Sequence, residues 1–89
     1  MSLDLMKLLF SQRYGLDPSE LSADSVISDV CTDSLEILEL LMYIEDEFKV
    51  VFPDEVAQEL KTLGDIAAYV EKTVSEEALA QIGERLKNN

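Results

Sequence analysis

Ser34 offers a hydroxyl at the opening of a periodic apolar run. Asp33 precedes it, and Leu35 and Glu36 follow. Taken alone, Asp33-Ser34-Leu35 is weak, because serine near a helix start is usually structural. Most other chemistries are excluded by composition. There is no histidine, so neither a Ser-His-Asp triad nor a His-ligated metal site can be assembled. Cys31 is the single cysteine, which rules out an intrachain disulfide and a zinc-binding cysteine cluster. The three glycines, Gly15, Gly64 and Gly83, are too scattered for a phosphate-cradling loop. Acidic residues are dense, but no EF-hand loop with ordered ligands and a central glycine is present, so no metal site is expected.

Charge narrows the range of partners. Nineteen acidic residues against seven basic ones give a formal net charge of −12. Such a surface repels nucleic acid and anionic membranes, whose binding needs clustered Lys and Arg. It suits a partner with a basic face. The acidity is uneven: Asp29–Glu55 holds nine acids against Lys49 alone, and so carries −8 of the total. The longest uncharged stretch, Ala78 to Gly83, is too short for a membrane span or a signal-peptide core. A cytoplasmic monomer is the expectation.

The elements that position Ser34 read as all-α. Residues 3–14 form a first helix with an apolar face from Leu5, Leu8 and Leu9, capped by Ser2 and closed by Gly15. Leu16–Thr32 lose the period and form a long connection, which Leu21, Val26, Ile27 and Val30 are expected to pin to the core. A second helix runs from Ser34 to Phe48, with Asp33 and Glu36 as a capping box. Pro53-Asp54-Glu55 opens a brief helix to about Leu60. Thr62 and Asp65 cap another to about Thr73. Ser75-Glu76-Glu77 starts an extra helix with a Leu79, Ile82, Leu86 stripe, weakened by Gly83. The expected architecture is a small four-helix bundle over residues 1–74, three longer helices and one short, with a helical extension over 75–89.

The second helix has two apolar faces. At about 100° per residue, Ile37, Leu40, Leu41, Ile44 and Phe48 fall together as a core stripe. Leu35, Leu38 and Met42 fall nearly opposite, bordered by Glu39 and Asp46 on one flank and Glu45 on the other. A helix in a small bundle cannot bury both sides within its own domain. Either the second stripe is an interaction site, or the long connection folds over Leu35 and Leu38 and hides them.

The stretch Asp33-Ser34-Leu35-Glu36-Ile37-Leu38-Glu39-Leu40, then Glu45-Asp46-Glu47-Phe48, then Phe52-Pro53-Asp54-Glu55, closely resembles the acyl carrier protein family over roughly residues 3–73. The resemblance implies that Ser34 is the attachment site of 4′-phosphopantetheine, donated from coenzyme A by a phosphopantetheinyl transferase, with Asp33 assisting recognition. A phosphodiester there would meet free amides and the favourable end of a helix dipole. It further implies a non-enzymatic carrier whose arm holds an acyl group as a thioester and delivers it to enzymes of fatty acid, polyketide or related synthesis. Leu35, Leu38, Glu39, Met42, Glu45 and Asp46 would form the docking face for acyl-processing enzymes with basic surfaces. Ile37, Leu41, Phe48, Phe52, Ala57, Leu60 and Leu63 would line the core or an acyl cavity. Two features depart from the family pattern: Cys31 stands where glycine is common, and Ser75–Asn89 extends past the usual end. An aminoacyl or peptidyl carrier, and an unmodified acidic adaptor for a basic partner, are the alternatives.

Overall fold

The computed structural model of the chain describes Ser2–Asn88. Among these residues the order is α1 (Ser2–Tyr14), a 3-10 turn (Pro18–Glu20), α2 (Ile27–Val30), α3 (Ser34–Phe48), α4 (Asp54–Ala57), α5 (Leu63–Thr73) and α6 (Glu76–Lys87). The four longer helices coincide closely with those read from periodicity and caps. The buried set draws on all four: Met6, Leu9 and Phe10 from α1, Leu40, Ile44 and Phe48 from α3, Leu63, Ile66 and Val70 from α5, and Leu79, Ile82 and Leu86 from α6. α1 lies against both α5 and α6, and α6 reaches across to α3.

Local structure departs from expectation at several points. Ser2 is buried, and its hydroxyl is directed at α5, within 2.7 Å of a Glu71 carboxylate oxygen and 2.9 Å of the Ala67 carbonyl. It therefore ties α1 to α5 instead of capping α1. α4 is a single turn that ends at Ala57, with Pro53 as its N-cap. Gly83 is buried against α1, and a Cβ at that position would lie 3.1 Å from Leu5 Cδ2. The residue that lowers the helix propensity of α6 thus lets the two helices approach.

The connection from Leu16 to Thr32 is not loose. It contains the 3-10 turn and α2, and it is stitched to the start of α5 by backbone bonds. The first amides of a helix lack intrahelical acceptors. Here the Leu63 amide donates to the Ser25 carbonyl at 3.0 Å, and the Gly64 amide to the Ala23 carbonyl at 2.9 Å. In return the Ile27 amide donates to the Lys61 carbonyl at 2.9 Å. A Cβ on residue 64 would sit 2.9 Å from the Ala23 carbonyl oxygen, so a larger residue would force the connection away. Leu21 and Ile27 are buried and Val30 is partly buried, but Val26 is exposed. Val26 holds by its backbone, in the bridge to Thr62, rather than by its side chain.

Thr62 and Asp65 form a full capping box, the Thr62 hydroxyl accepting from the Asp65 amide at 3.1 Å. The Asp65 carboxylate accepts from the Lys61 amide at 3.0 Å and the Thr62 amide at 3.1 Å. These two amides hold its carboxyl below the usual carboxylate range. Ser75 caps α6 by accepting from the Ala78 amide at 3.2 Å.

Candidate attachment site and docking face

Ser34 is the first residue of α3 and is exposed. Among the described residues no hydrogen bond occupies its hydroxyl, so the oxygen is open to modification. Asp33 is the N-cap, in extended backbone conformation, and its Oδ1 accepts from the Leu35 amide at 2.9 Å. Its carbonyl takes the Ile37 amide at 3.1 Å. The expected capping box does not form: Asp33 takes the Leu35 amide in place of that of Glu36, and among the described residues no bond returns from Glu36 to the Asp33 amide. A phosphodiester on Ser34 fits this terminus, because among the described residues the Ser34 and Glu36 amides have no protein acceptor.

Cys31 fixes the approach to this serine. Its side chain is fully buried, and its thiol donates to the Tyr14 hydroxyl at 3.0 Å. Its amide closes α2 on the Ile27 carbonyl at 2.9 Å. Burial, with the Cys31 contact second, pushes the Tyr14 hydroxyl above its ordinary pKa. The cysteine therefore anchors the segment to α1 and lies inside, while Ser34 lies outside.

The two faces of α3 separate as the periodicity requires. Leu40, Leu41, Ile44 and Phe48 are buried, and Ile37 is partly so. Leu35, Leu38 and Met42 remain 60%, 54% and 58% exposed, so the connection does not cover them. Glu39 and Asp46 are exposed beside them. Glu45 is only partly exposed, and one of its oxygens accepts from the Phe52 amide at 2.6 Å.

That bond belongs to a rigid turn after α3. Lys49 ends the helix in the left-handed region, at φ 56°, which L-residues adopt at some cost. The Val50 amide donates to the Glu45 carbonyl at 3.1 Å, and the Tyr69 hydroxyl donates to the Val51 carbonyl at 3.0 Å. The Phe52 and Tyr69 rings stack tilted at 5.4 Å. The turn holds the Val51 side chain 72% exposed. Between this turn, α3 and the end of α1 runs an open groove of about 600 Å³, lined by Arg13, Glu39, Met42, Tyr43, Glu45, Asp46, Val50 and Val51. Arg13, Tyr43 and Val51 carry no sequence signal as site residues, because helical period does not reveal which distant segment faces a helix.

The seven residues expected to line a core or acyl cavity all join the packed interior. Leu41, Phe48, Phe52 and Leu63 are buried within it, and Ile37, Ala57 and Leu60 pack against its edge. Leu60 also lines a surface groove with Val56, Tyr69 and Lys72. Among the described residues no helix is long and apolar enough to cross a membrane, and no cluster of three or more potential ligands is placed to hold a metal ion.

Residues 2–70 match the phosphopantetheine attachment site family. The chain is 44% identical over 68 residues to an acyl carrier protein of Bdellovibrio bacteriovorus, covering 75% of this chain and 87% of the relative. It is 41% identical over 71 residues to one of Rhodococcus erythropolis, covering 79% and 78%. It is 34% identical over 77 residues to one of Clostridium acetobutylicum, covering 85% of this chain and all of the relative. With an open serine at a helix start, a bare apolar stripe beside it and this likeness over most of its length, the chain belongs to the acyl carrier protein family and carries acyl groups on a covalently bound 4′-phosphopantetheine arm.

Proposed function

We propose that Ser34 is the residue that bears the arm, and that the chain is a carrier and not a catalyst, serving enzymes of fatty acid, polyketide or related synthesis. The observation that carries this reading is the exposed, unengaged Ser34 hydroxyl at the N-terminus of α3. When bound, the arm supplies the thiol that holds the acyl group as a thioester. The protein's own residues do the rest. The free amides of the first turn favour the phosphodiester charge, and Asp33 fixes the turn and offers a recognition point to the transferase.

Leu35, Leu38 and Met42 provide the apolar part of the docking face, and Glu39, Asp46 and the second oxygen of Glu45 provide its charge. Burying one such apolar side chain contributes roughly 1.5–3 kcal/mol before association costs. The acids steer a basic partner onto it. Ile37, Leu41, Phe48, Phe52, Ala57, Leu60 and Leu63 are the residues an acyl chain would displace if it entered the interior. The test is intact mass after incubation with coenzyme A and a broad-specificity phosphopantetheinyl transferase. One adduct on the wild type and none on Ser34→Ala is expected. An adduct that survives Ser34→Ala would place the arm elsewhere.

A further inference from the structure

Among the described residues Val26 is the one large apolar side chain that lies exposed away from α3 and the turn after it. The fold holds it by its backbone, in the bridge to Thr62, and leaves the side chain unused. That side chain lines a groove of about 260 Å³ in the long connection, together with Leu16, Leu21, Val30, Glu20 and Asp29. Leu21 is buried, Leu16 and Val30 are partly so, and the two acids are exposed. The groove therefore has an apolar floor and an acidic rim. Its walls are fixed by backbone bonds. The Leu21 amide donates to the Pro18 carbonyl at 3.1 Å, the Ile27 amide to the Lys61 carbonyl at 2.9 Å, and the Asp29 amide to the Val26 carbonyl at 3.0 Å. A groove preformed in this way costs little ordering when it is filled.

Size, charge and position select the occupant. Pockets for whole small molecules run to about 300–1,000 Å³, so this one suits a slender segment of a longer chain. Among the described residues the one ion pair is Arg85–Glu47, so neither carboxylate of the rim is in an ion pair. Two such carboxylates repel an anion and accept hydrogen bonds from neutral N–H groups. The groove also lies close to Ser34 along the chain. A residue adds three backbone bonds and at most about 3.6 Å, which puts Val30 within about 14 Å of Ser34 and Asp29 within about 18 Å. A 4′-phosphopantetheine arm has a spine of about fourteen bonds from the serine oxygen to its sulfur, and by the same measure it reaches about 17 Å.

We infer that this groove seats the neutral pantetheine part of the arm. Its geminal methyl groups lie against Val26 and Val30, and its amide N–H groups donate to Glu20 and Asp29. Its phosphate stays at the start of α3, away from these acids. The inference rests on Ser34 bearing the arm and adds where the arm lies between deliveries. Tethering favours the arm over a free ligand, because an attached group meets the groove at an effective concentration of about millimolar.

The test is NMR on the unmodified and modified protein, the arm being transferred from isotope-labelled coenzyme A. Cross-relaxation is expected between the arm methyl groups and those of Val26 and Val30. The arm amides should show order parameters above about 0.6, the level below which a backbone counts as flexible. Val26→Asp should abolish the cross-relaxation and drop the order parameters below that level. The variant should keep its melting temperature, because the side chain is exposed and Asp suits the N-cap position that Val26 holds at α2. An arm in contact only with α3 or α5, or with nothing, overturns the seat and leaves the carrier reading standing. Contacts undiminished in Val26→Asp overturn it likewise. Failure of the wild type to acquire an adduct overturns both.

Discussion

The inner and outer faces of α3 share one helix and one amino-acid vocabulary, yet their leucines meet opposite fates. Leu40, Leu41 and Ile44 are buried in the core that they share with residues of α1, α5 and α6, whereas Leu35, Leu38 and Met42 stay more than half exposed. The difference is one of phase around the axis, not of hydrophobicity. Apolar surface on the inner face stabilises the fold. The same kind of surface on the outer face is withheld from folding and stays available for association. A carrier visited in turn by different enzymes needs such a separation, because a docking residue that also held the core could not be released without cost.

Substitutions can break or sharpen this contrast. The largest effect belongs to Phe48→Ala, which should destabilise the fold by about 3–5 kcal/mol. A domain of this length has about 4–13 kcal/mol in total, so denaturant melts should show a large drop in midpoint. Leu86→Ala should come next, at about 2–5 kcal/mol, because α6 is welded to the inner side. Its Leu86 carbonyl accepts from Gln12 at 2.6 Å, and Arg85 donates to the Glu47 carbonyl at 2.8 Å. A melt unchanged by Leu86→Ala would show that α6 is only loosely applied.

The outer face should respond in the other currency. Leu38→Ala should leave stability within about 0.5 kcal/mol while raising the KM of a docking enzyme up to about tenfold. A stability loss of several kcal/mol at Leu38 would erase the distinction between the faces. Glu39→Lys should act more weakly, raising KM at low salt and flattening its dependence on ionic strength. Kinetics across a salt series would read this directly.

The smallest effect separates the acids proposed to serve docking from an acid that serves the fold. Asp65 has a folded pKa below the usual carboxylate range, held there by the Lys61 and Thr62 amides. Its contribution is therefore fully present above the ordinary carboxylate pKa of the unfolded chain and is lost as pH falls through the lower folded value. The stability difference between wild type and Asp65→Ala should shrink as a series of melts descends through this acid range. The crowded acids of α3 and its flanks act oppositely on the fold. Their mutual repulsion along Asp29–Glu55 should make the melting temperature rise with added salt, and a flat series would count against that repulsion.

Much of the candidate site was legible because it depends on near neighbours in sequence. The phase of Leu35, Leu38 and Met42 against Leu40, Leu41 and Ile44 follows from helical geometry, and Asp33, Thr62 and Ser75 marked their helix starts by cap chemistry. Ser2 misled for an instructive reason: its composition suits a cap, but α5 offered the Ala67 carbonyl and the Glu71 carboxylate. Glu45 was legible as a flanking acid but not as the acceptor that fastens Phe52. Val26 had the composition of a core anchor and lies outside.

The sequence by itself determined that this chain is helical, where its long helices begin, and that α3 has one apolar side too many for a self-contained bundle. These are consequences of the 3.6-residue period and of backbone groups that must be satisfied within a few residues. Tertiary structure alone decided that the long connection gives its carbonyls to the start of α5, that Cys31 turns inward to Tyr14, and that Arg13 rests on Tyr43 beside an exposed Val51. Each of these joins segments far apart in the chain. Their meeting depends on how whole helices pack, which no local pattern encodes.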